Sequence, residues 1–153
     1  MRIELLADHP DKIPEIARWH WEAWGHHNPN GSYERTFARL SRRLHRDLLP
    51  LAYLALNTDR LVGTASLVEH DMDSREDLSP WLAGVYVDPD YRHQGIASSL
   101  VERVCEKARM LGFSEMFLYT NNAHGLYTAL GWTDLGQERY RDRMVMIMKY
   151  ELR

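Results

Sequence analysis

The chain has 153 residues, 44% hydrophobic and 27% charged, enough for one domain with its own core. A net charge of −3 and a pI near 6.2 provide no global attraction to nucleic acid or to an anionic membrane surface. The single cysteine, Cys105, cannot form an internal disulfide, Met1-Arg2-Ile3-Glu4 does not read as a signal peptide, and no apolar run is long enough to span a bilayer. A cytoplasmic protein, with no membrane and no nucleic-acid partner, is therefore expected.

Taken in order, Ile3 to Ala7 predicts a short strand, and Asp8, Pro10 and Pro14 punctuate the entry to a helix. Ile13, Ile16, Ala17, His20 and Trp24 would share one face of that helix. Trp19, Trp21 and Trp24 cannot all face the core, which leaves an exposed one as a wall for a ligand. Residues 25–31 (GHHNPNG) read as a loop. Ser32 is placed to cap a second helix with Phe37, Leu40, Leu44 and Leu48 as its apolar stripe. Arg35, Arg39, Arg42, Arg43 and Arg46 take the remaining surface, which predicts a solvated face, with binding of an acidic partner as the functional alternative.

After Pro50, Leu51 to Leu56 and Leu61 to Val68 predict a hairpin turning at 57–60. The polar stretch Glu69 to Ser79 reads as a connector. Its acidic residues Asp71, Asp73, Glu76 and Asp77 predict a solvated loop, with attraction of a cationic amine as the functional alternative. Ser114 to Thr120 predicts a further strand, Ala123 to Leu130 a short helix capped by Gly131, and Gln137 to Leu152 a hairpin ending in the strand Met144 to Tyr150. The eight histidines are scattered. His26-His27 has no cysteine or carboxylate at ligand spacing, so no metal site is expected.

The most informative stretch is Leu82 to Leu111. An unbroken apolar run to Val87 predicts a buried strand, ended by Asp88-Pro89-Asp90. A short loop follows, then Ile96, Leu100, Val104, Ala108 and Leu111 at helical spacing, with Gly112 as the stop. The first amides of such a helix lack partners and carry the positive end of its dipole, so a small-residue loop there suits a phosphate. Gly95 and Ala97 are small, and Arg92 adds charge at the loop entrance. The dinucleotide Gly-x-Gly-x-x-Gly and the triphosphate Gly-Lys-Ser/Thr patterns are both missing.

Arg92-x-x-Gly95-x-Ala97, behind Val85-Tyr86-Val87, resembles the acetyl-CoA loop of the GNAT superfamily of N-acetyltransferases, whose pattern is Gln/Arg-x-x-Gly-x-Gly/Ala. Downstream, residues 123–132 (AHGLYTALGW) resemble the family's late segment, at the spacing the family shows. The resemblance covers nearly the whole chain as a single N-acetyltransferase domain, 1–153. It implies a mixed α/β fold, a mostly antiparallel seven-stranded sheet flanked by helices, with two central strands splayed to admit acetyl-CoA as co-substrate. It further implies cofactor contacts from Val85, Tyr86 and Val87, phosphate contacts from Arg92, His93, Gln94, Gly95, Ile96, Ala97 and Ser98, and a general acid at Tyr127. The loop Trp24 to Ser32 would wall the acceptor site.

Two positions depart from the family pattern. Gly84 stands where many members have a glutamate base, which leaves an ordered water, Glu69, His70 or Asp71 for that role. Thr120 stands where many have an asparagine on the CoA arm, and Asn121 or Asn122 could serve instead. The expected activity is transfer of acetyl to a primary amine of a small molecule, peptide or protein by direct attack on the thioester. A non-catalytic acyl-CoA sensor on the same fold is the alternative. Such folds often dimerise, and a homodimer is a further expectation.

Overall fold

A computed structural model describes residues 1–152. The strands are β1 (Arg2–Leu5), β2 (Leu51–Asn57), β3 (Arg60–Val68), β4 (Trp81–Val87), β5 (Glu115–Thr120), β6 (Thr133–Tyr140) and β7 (Arg143–Glu151). The α-helices are α1 (Ile13–Trp24), α2 (Tyr33–Leu40), α3 (Ile96–Met110) and α4 (His124–Ala129). All seven strands form one sheet in the order β1-β2-β3-β4-β5-β7-β6. Every neighbouring pair is antiparallel except β4 and β5.

Alternation along β2 explains the layering. Leu51, Tyr53 and Ala55 point to one face, where Ile96, Leu100, Val104 and Ala108 of α3 cover them. Ala52, Leu54 and Leu56 point to the other, onto Ile13, Ile16 and Ala17 of α1 and Leu40 of α2. The two-residue period of a strand has served two cores at once. Burying each such leucine or isoleucine contributes about 1.5–3 kcal/mol. A third cluster, with Met72, Trp81, Phe117 and Ile147, closes the sheet around its middle.

Turn chemistry sets the hairpins. Thr58-Asp59 joins β2 to β3, with Thr58 at φ 58. Arg141-Asp142 joins β6 to β7 with φ of 50 and 65, the positive pair that suits a two-residue hairpin. Ser32 accepts the Arg35 amide at 3.1 Å and so starts α2 as predicted.

Four sequence expectations are corrected. The second helix stops at Leu40 rather than running to Leu48: Ser41 Oγ turns back to the Phe37 carbonyl at 2.8 Å, and Leu48 is left exposed. The first strand ends at Leu5 and passes into a 3-10 turn. The last hairpin is longer, since β6 begins at Thr133. The polar connector after β3 is anchored by fully buried Met72, an apolar residue that no periodicity flagged.

Candidate active site

β4 and β5 run side by side at a single register pair, Trp81 with Phe117, supported by the Phe117 amide donating to the Pro80 carbonyl at 2.9 Å. Beyond it the two strands part. The backbone of β4 from Leu82 onward has β3 on one side and no strand on the other. Unpaired strand amides facing a gap are available to a ligand. A cavity of about 420 Å³ opens there, lined by Leu82 to Val85, Leu118 to Ala123, Tyr127 and the loop after α1. That size suits a small molecule.

β4 is bulged at this point. Thr64 pairs with Tyr86 and Ser66 with Ala83, so Gly84 and Val85 face a single residue of β3. Gly84 has φ +61, and a Cβ there would stand 2.8 Å from His20 Cε1 and 3.2 Å from an Arg43 guanidinium nitrogen. The place where the family pattern puts a glutamate is thus filled by a histidine and an arginine from the other layer. Both are 5% exposed. His20 Nε2 has no hydrogen-bond partner among the described residues. Burial first, then Arg43 and Arg39, push its pKa down to about 3, opposed by the Gly84 backbone, so the ring is neutral at pH 7. Arg43 donates to Ser66 Oγ at 2.9 Å, and burial lowers its pKa to about 10.

Tyr127, 6% exposed, lines the cavity from α4 with its ring edge-on to Trp132. Burial raises its pKa to about 12, which keeps the proton on at neutral pH. Of the three candidate bases, His70 and Asp71 line the cavity and Glu69 does not. Burial raises the Asp71 carboxyl, while Arg43, Arg39 and Arg141 hold it back. Thr120 Oγ1 accepts the Ala123 amide at 3.0 Å, and Asn121 and Asn122 both line the cavity.

The small-residue loop lies beyond this cavity, leading into α3. Gly95 has φ +82 and a Cβ there would meet nothing within 4 Å. The loop needs its glycine for backbone conformation, and the space beside it stays open. No side chain caps α3. Arg92 is less free than its sequence position implied: Nε donates to the Val87 carbonyl at 2.9 Å and its guanidinium lies over Tyr86.

Of the segment Trp24 to Ser32, Trp24, Gly25, His27 and Asn28 line the cavity and Ser32 does not. Trp24 is 40% exposed, whereas Trp19 is the buried tryptophan of α1, packed on Tyr86. The arginine stripe is corrected. Arg43 is buried, whereas Arg35 and Arg39 stay exposed as expected while also lining the cavity. The acidic run is a solvated loop over Asp73, Glu76 and Asp77, which are exposed. Only Asp71 reaches the cavity, while Asp77 pairs with Arg75 and Asp73 lies 4.0 Å from Arg141. His20 carries no site signal in the sequence, whereas the four-residue spacing of 35, 39 and 43 marks one helix face. No group of three or more metal-ligating side chains is found among the described residues, and no helix among them is long and apolar enough to cross a membrane.

The chain belongs to the GNAT acetyltransferase family, whose sequence profile matches residues 13–132. It is 36% identical over 89 residues to human N-acetyltransferase 8B, covering 56% of this chain and 39% of that protein. It is 33% identical over 102 residues to the amino-acid acetyltransferase of Azotobacter vinelandii, covering 61% of this chain and 24% of that one. The chain therefore matches well under half the length of these curated relatives. In fold it is similar to an aminoglycoside 6'-N-acetyltransferase complexed with coenzyme A, at TM-score 0.77 and 14% identity over 99% of this chain and 97% of that one. It is also similar to yncA of Salmonella typhimurium, solved with its cofactor acetyl-CoA, at TM-score 0.74 and 20% identity over 100% and 94%.

Proposed function

We propose that this chain is a single-domain, cytoplasmic, acetyl-CoA-dependent N-acetyltransferase acting on a primary amine. The observation that carries the proposal is the splay of β4 from β5, which leaves strand backbone unpaired beside a cavity that Tyr127 also lines. The CoA phosphates rest on the amides of Arg92 to Ser98, at the positive end of α3. The pantetheine arm lies along Val85, Tyr86 and Val87, with Asn122 beside it. The amine nitrogen attacks the thioester carbonyl, and a backbone amide near Val85 stabilises the oxyanion. The C–S bond then breaks, and Tyr127 gives its proton to the departing thiolate. Asp71, with its raised pKa, takes the proton from the amine, directly or through water, in place of the glutamate absent at Gly84.

Thiol release from acetyl-CoA against a panel of amines and peptides tests this. Tyr127→Phe should lower kcat about 10²–10⁴-fold while acetyl-CoA still binds. A variant with the parent kcat would remove Tyr127 from the mechanism. The second reading, an acyl-CoA sensor, is favoured by Gly84 alone, and tight acetyl-CoA binding without acceptor-dependent thiol release would select it.

A further inference from the structure

The cavity is charged opposite to the chain. Five arginines line it, Arg35, Arg39, Arg43, Arg141 and Arg143, against one carboxylate, Asp71. They come from two separate elements. Arg35 and Arg39 lie on one face of α2, with Arg43 continuing it from the following turn, while Arg141 lies in the β6–β7 turn and Arg143 starts β7. Some of this charge is engaged. Arg35 donates to the Asn30 carbonyl, and Arg141 lies over Tyr140 near Asp73. The side chains of Arg39 and Arg143 make no hydrogen bond or ion pair among the described residues, and Asp71 forms no ion pair with any of the five guanidinium groups. Arg43 is buried with one of its five donors used. A buried guanidinium with unspent donors facing a cavity is costly unless an anion or water meets it. His20 Nε2, buried and unpartnered among the described residues, adds a neutral polar group to the same floor.

The cofactor does not account for these arginines, because residues 92–98, which the reading above gives to its phosphates, contribute nothing to this cavity. A simple cationic amine would be repelled by it.

We infer that the acceptor carries a carboxylate beside its amine, as a free amino acid does, and that Arg39, Arg43 and Arg143 hold that carboxylate. The inference rests on the transferase reading for the fate of the amine, but the anion subsite can be tested without turnover. Planar guanidinium groups match a carboxylate with two parallel hydrogen bonds, so the free acid is distinguished from its amide.

Two measurements decide it. Thiol release is compared for alanine, methionine, phenylalanine and glutamate against their C-terminal amides, in the parent, Arg39→Gln and Arg143→Gln. Calorimetry compares binding of the corresponding N-acetyl amino acids and their amides in the presence of CoA. At least one free acid should exceed its amide about tenfold or more in kcat/KM and in affinity. Each variant should shrink that ratio toward one, through KM rather than kcat. Amides equal to or better than acids throughout would overturn the subsite, as would variants that reduce acids and amides alike. Preferential binding of acids with no thiol release would uphold the subsite and sink the transferase reading.

Discussion

Replacing Gly84 by alanine probes the junction between the β4 bulge and the helical layer. Two costs follow from the geometry. A non-glycine residue at φ +61 costs about 1–2 kcal/mol. A Cβ placed 2.8 Å from His20 Cε1 forces the buried ring or the strand to move, and overpacking of this kind costs about 1–3 kcal/mol. A loss near 3 kcal/mol is expected. For a chain of 153 residues the unfolding entropy is roughly 0.3 kcal/mol/K, so Tm should fall by about 10 °C. Urea unfolding with an unchanged m-value gives the free energy directly. A cycle with His20→Ala separates the two costs, since removing the ring relieves the contact and leaves the backbone cost of about 1–2 kcal/mol. If Gly84→Ala stayed within about 0.5 kcal/mol of the parent, or the two substitutions were simply additive, His20 would not occupy the space beside Gly84.

His20→Gln should flatten the acid side of the stability profile. The folded pKa, about 3, lies below the ordinary 6.5, so below pH 6.5 the unfolded chain takes a proton that the folded chain refuses. Stability from this group is constant above that pH and falls by about 2 kcal/mol on going down to about pH 5, and an unchanged slope in the variant would refute the neutral buried ring. Asp71→Asn should lower kcat about 10²–10⁴-fold and abolish the rise of kcat/KM with pH through the raised Asp71 pKa; a parent-like profile would exclude Asp71 as the base. Cys105, buried with its thiol pushed up to about 12, should react with an aromatic disulfide reagent at least about a hundredfold more slowly in the native protein than in denaturant, and rapid native labelling would contradict its place in the core.

The strand, loop and helix from Leu82 to Leu111 were legible because each signal is local. An apolar run, a loop with one glycine, and helical spacing each depend on neighbours within a few residues. The Ser32 cap and the hairpin across Thr58-Asp59 are local in the same sense. The second helix failed where a nonlocal demand intervened. Leu44 and Leu48 keep helical spacing, but the chain leaves the helix after Leu40, and Arg43 goes inward to Ser66, 23 residues away in sequence.

The chain by itself determined its alternating faces, its turns, the unprotected start of α3 and the segment carrying Tyr127, since backbone sterics and apolar periodicity act over short range. Its family was readable there for the same reason. Only the tertiary structure decided what faces the cavity. Gly84 shows an empty position in sequence, and its neighbours come from α1 and from the turn after α2. Asp71, Tyr127 and the arginines meet there because the splayed strands leave a gap that elements far apart in sequence must wall. The sign of that wall was hidden by a net charge of −3, because summed charge carries no information about which side chains share a cavity.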